Sequence, residues 1–299
     1  MHDNMKDFNS LQEFNRYQDP AFPVGMYTVT IDGIEPEGRG HMDLHWHDEL
    51  QYTVMLSGSC IMQVSGQDYL LKEGQGIFIN RDLLHITRDL SPDGKYFSIN
   101  FPDKMLSYFS GSRMEKDYVK PYTDNLMNPV MVFSYTSEWN RKILSDLMKL
   151  REVLLGKESY YQYAAAMLIT GIWYEQFTHT GKLSQPSETF IRTTDLMKEM
   201  ISYIHEHYAA DIRIEDIADA AGIGEDECFR CFRESIQDTP KGYLIKYRLS
   251  RATELLSTTD LSLEEIARLS GFRSRGQMAD FFRDNRKPAP AEIREYSRQ

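Results

Sequence analysis

A short apolar pattern in the last third of the chain is written twice, about 50 residues apart, and this repeat restricts the fold more than any other feature. Ile214, Ile217, Ala218 and Ala221 fall at i, i+3, i+4 and i+7, one apolar face of a short helix. Gly222-Ile223-Gly224 interrupts that face, and Cys228, Cys231 and Phe232 start a second amphipathic helix. The second copy has Leu263, Ile266, Ala267 and Ser270 on the first face, Gly271-Phe272 at the turn, and Met278, Phe281 and Phe282 beyond it. Phe232 precedes Pro240 by eight residues, Phe282 precedes Pro290 by eight, and an Arg follows each Phe. Short helix, glycine turn, second helix is the pattern of a helix-turn-helix. Agreement at this many positions is far more specific than a lone glycine turn.

Local chemistry sets the boundaries of the repeats. Thr239 is placed to cap a helix whose first residue is Pro240, where a missing N–H costs nothing. That helix runs through Leu244, Tyr247 and Leu255 and joins the two units. Ser262 with Glu265 forms a capping box for the second unit. Cys228 and Cys231 make a C-x-x-C string, but they lie at i and i+3 on the apolar side, with no second ligand pair nearby. Core packing outweighs a zinc or redox role.

Residues 212–294 resemble the DNA-binding domain of AraC/XylS-type transcriptional regulators, through IEDIADAAGIG (214–224), FRESIQDTP (232–240), YRLSRATELL (247–256), SLEEIARLSGF (262–272) and FFRDNRKPAPAEIR (281–294). The resemblance implies double-stranded DNA as partner, with the second helix of each unit in a major groove. In the second unit Arg273, Ser274, Arg275 and Gln277 are the candidate base readers, since Arg suits guanine and Gln adenine. Arg230, Arg233, Lys241, Arg283 and Arg286 are candidate backbone contacts, each weighed against a solvated charge or a helix ion pair. The chain departs from the family at Asp280, where Arg is usual, and at Lys287, where a turn Gly is usual. The first reading helix also opens with Glu225-Asp226-Glu227. Asp226 and Glu227 either accept from cytosine N4 or mark a unit that adds little affinity. Phosphate repulsion acts at every site, so the second reading weighs more.

Residues 26–101 read as short strands, with Leu50, Tyr52, Val54 and Leu56 in partial alternation and turns at Ser57-Gly58, Ser65-Gly66 and Glu73-Gly74. His45-Trp46-His47-Asp48-Glu49-Leu50-Gln51, with His85 34 residues after Gln51, resembles the two short motifs of cupin barrels. That resemblance carries a ligand set onto His45, His47, Gln51 and His85, with Gln51 where a carboxylate is usual. Three readings stay open: a polar effector pocket, a divalent metal on His45, His47 and His85, or histidines satisfied in a barrel mouth. Tyr96, Ser98 and Asn100 alternate along a late strand and join the pocket candidates.

The middle is helical. Ile143, Leu147, Leu150 and Leu154 form a heptad-like seam, and Ala165, Leu168, Ile169, Ile172 and Trp173 share one side of the next helix. Both helices either cover the barrel or make a dimer contact. No run approaches the ~18 apolar residues of a membrane span, no apolar signal opens the chain, and three cysteines suit a reducing compartment. The cytoplasm is the expected location. The net charge of −11 is unlike a nucleic-acid binder. Residues 190–299 carry 17 Lys/Arg against 20 Asp/Glu, so DNA affinity must rest on where charges sit.

The expected fold is α+β: an N-terminal arm (1–20), a cupin-like barrel (21–110), a helical dimerisation segment (111–180), a linker (181–190) and an all-α DNA-binding domain (191–299) with two helix-turn-helix units. The expected function is a homodimeric, non-enzymatic transcription regulator under a small-molecule effector, with a sugar or related metabolite as the candidate class and RNA polymerase as a further candidate partner. The alternative is a metal-dependent cupin enzyme with a fused helical domain.

Overall fold

The computed structural model describes residues 17, 19–36, 44–124, 128–180, 187–285 and 289–296. Contacts divide it into one unit built on Gln12–Thr194 and another containing Asp195–Gln299. The N-terminal arm (1–20) and the linker lie largely outside the described residues.

The first unit opens with β1 (Gly25–Thr30), β2 (Gly33–Glu35), β3 (Leu50–Ser57), β4 (Ser59–Val64), β5 (Gln67–Lys72), β6 (Gly76–Ile79), β7 (His85–Leu90) and β8 (Lys95–Phe101). A π-helical turn, Met114–Val119, leads into α1 (Lys120–Thr123), then β9 (Val130–Phe133), α2 (Glu138–Gly156) and α3 (Tyr161–His179). The strands form two antiparallel sheets, ordered β2-β1-β8-β3-β6-β9 and β5-β4-β7. Ser65 and Gly66, at φ 44° and 85°, form the two-residue turn that joins β4 to β5. Positive φ at both positions matches the twist of a hairpin.

β9 corrects the expectation that 111–180 is helical throughout. Val130-Met131-Val132-Phe133 is too short for helical periodicity and pairs with the β6 edge. The partial alternation of β3 also resolves. Leu50, Tyr52 and Val54 face a core shared with α2 and α3, whereas Met55 faces a second core with Ile77, Ile79, Cys60 and Met62. Both faces of this sheet are covered, so both are buried, and apolar residues are not confined to alternate positions.

Ile143, Leu147, Leu150 and Leu154 of α2 pack with Ala165, Ile169, Ile172 and Trp173 of α3 in the first core. These residues cover the sheet, so of the two readings of the seam, covering the barrel is the one its residues fulfil. The outward side of α3 exposes Tyr163, Met167 and Tyr174, and Tyr160 is exposed just before the helix begins.

α4 (Glu188–His207) begins inside the expected linker (181–190), and the division between units falls within that helix, after Thr194. The second unit continues with α5 (Ile214–Ala220), α6 (Glu225–Ile236), α7 (Pro240–Thr258), α8 (Leu263–Leu269), α9 (Arg275–Asp284) and α10 (Pro290–Tyr296). The architecture is thus a β-rich N-terminal unit and a helical C-terminal one. Among the described residues no helix is long and apolar enough to cross a membrane.

The two repeats are built alike at the backbone. Gly222 (φ +64°) donates to the Asp219 carbonyl at 3.0 Å and Ile223 to Ala218 at 3.1 Å. Gly271 (φ +79°) and Phe272 donate to Arg268 and Ala267 at 3.1 and 2.8 Å. Each turn thereby satisfies the last carbonyls of its first helix. Cys228 and Cys231 are buried as expected of core residues, and Phe232 meets Tyr243 of α7 with ring centroids 6.0 Å apart. Leu249, Ala252 and Leu256 of α7 join Ile266, Phe272, Met278 and Phe282. α7 therefore serves both repeats as a common support. Thr239 caps it by accepting from the Gly242 N–H at 3.0 Å, and Ser262 with Glu265 caps α8 as a capping box.

The two turn glycines differ in surroundings. A Cβ on Gly222 would meet nothing within 4 Å, whereas one on Gly271 would collide with the Tyr208 carbonyl and lie 2.7 Å from Arg248 Nε. Gly222→Ala should cost about 1 kcal/mol, the left-handed strain alone, and Gly271→Ala at least about 2 kcal/mol more from the clash. Urea unfolding of both variants checks this, and equal losses would contradict the packing described.

Candidate functional site

The inner faces of β3, β8 and β1 bring a row of polar side chains together between the two sheets. Gln51 lies opposite Asn100, Thr53 opposite Ser98, and Met55 opposite Tyr96; β1 adds Gly25, Tyr27 and Val29 in the same register. Directly opposed residues share a face. The interior is therefore graded, apolar around Met55 and Val29 and polar toward Gln51 and Asn100. Within the row Gln51 Nε2 lies 3.0 Å from Thr53 Oγ1, which is 2.7 Å from Ser98 Oγ. Tyr96 sits at the apolar end, its hydroxyl 2.9 Å from Thr87 Oγ1. Of the three β8 candidates, Ser98 and Asn100 lie in the polar row, and Tyr96 is the next residue on the same face, packed in the apolar core.

The histidines close the polar end. His45 and His85 form an isolated β-bridge, exchanging N–H···O bonds of 3.1 and 2.9 Å, which fixes their rings side by side at 4.3 Å. The His47 ring is 5.0 Å from that of His85 and 5.9 Å from that of His45. One ring nitrogen or more from each residue falls within 4.8 Å of the others. All the sequence-predicted pocket residues other than Tyr96 are thus brought to one end of the barrel.

Ring protonation follows from the carbonyls. Nδ1 of His47 lies 3.0 Å from the Glu49 carbonyl and Nδ1 of His85 lies 2.8 Å from the Leu83 carbonyl. A carbonyl only accepts, so each Nδ1 carries the proton, and a neutral ring keeps its lone pair on Nε2. Burial, reinforced by the other two histidines, holds His85 well below the usual imidazole range. Its Nε2 is buried with no hydrogen-bond partner among the described residues. The His47 Nε2 is 3.0 Å from the Gln51 amide oxygen. A neutral His47 requires the amide turned over, with its NH2 toward Nε2 and its carbonyl accepting from Thr53, an assignment made by the hydrogen-bond network. The Glu49 carboxylate lies 3.7 Å from His47 Nδ1 and accepts from the Tyr17 hydroxyl.

Sequence reasoning missed Thr53, Glu49, Tyr27 and Tyr17. Thr53 was readable, being two residues from Gln51 on one strand face. Tyr27 and Tyr17 were not, because their places depend on strand pairing and on a contact across 32 positions.

In the helical unit the reading helices are α6 and α9. Arg273, Ser274 and Arg275 are exposed around the start of α9. Ser274 Oγ accepts from the Gln277 N–H at 3.2 Å, and Gln277 Oε1 accepts from the Arg273 N–H at 2.8 Å. Two of the candidate base readers therefore also cap the helix, which leaves Gln277 its amide NH2 to present. Arg273 lies 3.8 Å from Asp211. Arg230 pairs with Glu227 at 3.1 Å and Arg283 with Asp280 at 2.8 Å, so the ion-pair reading holds for both. Arg233, Lys241 and Asp226 are exposed, while Arg286 and Lys287 lie outside the described residues.

Comparison with known proteins agrees with this geometry. A model described as a helix-turn-helix domain matches residues 217–296, and one described as an AraC-like ligand binding domain matches residues 29–116. The chain belongs to the AraC family of transcription regulators. This AraC-type chain is 29% identical over 275 residues to the HTH-type transcriptional regulator YdeC of Bacillus subtilis (strain 168), covering 90% of this chain and 92% of that one. It is 23% identical over 279 residues to the HTH-type transcriptional activator RhaS of Enterobacter sp. (strain 638), covering 92% and 94%. The DNA-binding domain of AdpA, solved in complex with a target DNA, aligns at 31% identity and TM-score 0.33 over 34% of this chain and 92% of that one.

The first positions of the two reading helices of this AraC-type protein have opposite relations to their helix dipoles. Glu225 opens α6 and Arg275 opens α9. Anionic side chains stabilise a helix N-terminus and cationic ones oppose it, so Arg275 is held there against the stability of its own helix. Arg275→Glu should raise stability by about 0.3–1 kcal/mol at low salt, read by urea denaturation. A loss of stability would give Arg275 a folding role instead.

Proposed function

We propose that this AraC-type regulator reads its operator chiefly through α9, contacts the backbone through both units, and is controlled by a small polar effector held among His45, His47, Gln51, His85, Ser98 and Asn100. The reading is carried by one observation: two helix-glycine-turn-helix repeats, both packed on the 19-residue helix α7 through Phe232 in the first and Phe272, Met278 and Phe282 in the second. At 1.5 Å per residue α7 is about 28 Å long, commensurate with the ~34 Å between successive major-groove faces. The acidic start of α6 repels phosphate wherever it docks, which assigns that unit backbone and spacing roles before base readout. The polar row favours an effector rich in hydroxyl or carboxylate groups, of which a sugar is one class. Such a protein acts where the chromosome is, and its buried free cysteines suit a reducing cytoplasm. The competing reading as a cupin enzyme predicts turnover of a small substrate without any effect of DNA.

The test is a gel-shift titration on a duplex from the gene's own promoter region, repeated against salt. Arg275→Ala should weaken the specific site by about 1–3 kcal/mol and relax preference at one base pair. Lys241→Ala should weaken all duplexes alike and lower the salt slope by about 1. Operator binding unchanged by either substitution would refute these assignments.

We further propose a homodimer through the outer side of α3. Tyr160, Tyr163, Met167 and Tyr174 follow a near-heptad spacing and are exposed, and a Cβ on Gly171 between them would meet nothing within 4 Å. Tyr174 meets Phe177 edge-on at 5.5 Å and Tyr118 stacks on it at 5.6 Å, which extends the apolar strip onto the π-helical turn. An apolar strip of this kind on one helix suits a second copy of the same helix, since pairing like with like closes the assembly. Sedimentation of the wild type should report a dimer and of Met167→Glu a folded monomer. A wild-type monomer at operator-saturating concentration would contradict this.

A further inference from the structure

The side chains at the start of α9 turn their acceptors onto the helix itself and leave their donors facing outward. Ser274 Oγ accepts from the Gln277 N–H at 3.2 Å, and Gln277 Oε1 accepts from the Arg273 N–H at 2.8 Å. A backbone N–H only donates, so the Gln277 amide has one orientation, its oxygen toward the backbone and its NH2 away from it. Arg273 and Arg275 are exposed and carry donors only. The Asp211 carboxylate 3.8 Å from Arg273 is itself 93% exposed, and an ion pair in water holds a guanidinium weakly. Farther along the helix Asp280 and Asp284 both lie against Arg283, at 2.8 and 3.6 Å. The first turn of α9 thus offers two guanidinium groups, a hydroxyl proton and an amide NH2, whereas the first turn of α6 offers three carboxylates.

The major groove sorts bases by the same chemistry. Guanine shows N7 and O6 and thymine shows O4, all acceptors, whereas adenine shows an N6 amino group beside N7 and cytosine an N4 amino group. In a helix-turn-helix the N-terminal residues of the second helix meet the base edges. We infer that the start of α9 selects keto bases, with Gln277 donating its NH2 to guanine O6 or thymine O4. The inference deepens the operator reading proposed above and rests on it. It departs from the adenine pairing expected of Gln by residue type, which needs the amide oxygen and nitrogen side by side against N6 and N7. Here the oxygen is held by the Arg273 N–H. Turning it to adenine gives up a bond worth about 2- to 12-fold in affinity. A keto base leaves that bond in place. Arg273 and Arg275 favour the same class, since a guanidinium fork matches guanine O6 and N7.

The experiment measures binding of the full chain, by fluorescence anisotropy, to its promoter duplex and to a series with each base pair of the bound site replaced in turn by the other three. Gln277→Glu is the decisive variant. Its carboxylate still accepts from the Arg273 N–H and suits a helix N-terminus, while both amide donors are gone. Urea unfolding establishes that it is folded. At one base pair the wild type should prefer guanine or thymine over adenine or cytosine on one strand by at least about 5-fold. Gln277→Ala should flatten that preference and Gln277→Glu reverse it, because the amino bases donate to a carboxylate. Placing 2-aminopurine for guanine, or 2-pyrimidinone for thymine, removes O6 or O4 and identifies the strand. The substitution should weaken the wild type more than Gln277→Ala, since any loss of base pairing acts on both proteins alike. A wild-type preference for adenine alone, abolished by 7-deazaadenine, overturns the inference. A selective wild type whose preferences all survive in folded Gln277→Glu overturns it too, and leaves the operator reading through Arg275 standing. A wild type with no preference for any duplex overturns both.

Discussion

Arg248 is the point on which the DNA-reading unit depends. Its guanidinium reaches from α7 to two carbonyls that follow α4, donating from Nε to Tyr208 and from Nη2 to Ala210, both at 2.7 Å. Gly271 of the second turn packs against that same place, too close for any side chain. One residue thus ties the end of α4, the supporting helix and the turn of the second repeat into a single joint. Burial draws the Arg248 pKa down, though a guanidinium stays charged. A charge that is half out of water is tolerable only with its donors occupied by fixed acceptors. The joint is therefore specific to this geometry, and it gives the second reading helix a fixed bearing on α7.

The charge distribution fits this arrangement better than the total does. The chain carries −11 overall, and its first reading helix begins with three carboxylates. Those carboxylates are what a helix N-terminus prefers. At the start of α9 the protein instead holds Arg275, with Arg273 just before it. The two units are alike in backbone and unlike in charge, and it is on this difference that the proposed function assigns holding the duplex to one and reading it to the other.

Much of the helical unit was legible because its signals are local. Glycine turns, caps and i, i+3, i+4 faces are set by neighbouring residues, so Thr239, Ser262, Gly222 and Gly271 could be read from the string. The engagement of Gln277 with the Arg273 N–H was also local, but it competes with a reading of Gln277 as a base contact, and sequence alone does not rank the two. In the barrel, His45, His47, Gln51 and His85 were legible as a motif. Tyr27, Tyr17 and the strand β9 were not, since they depend on pairings between distant segments. The seam of α2 was ambiguous for the same reason: a heptad of apolar residues looks the same whether it meets a sheet or another chain.

The account stands or falls on two coupled groove-filling helices in one chain. Hydroxyl-radical footprinting of the promoter duplex tests this most directly. Each chain should protect two blocks about one helical turn, or 10 base pairs, apart on one face of the DNA. A single protected block per chain, or none, would contradict it.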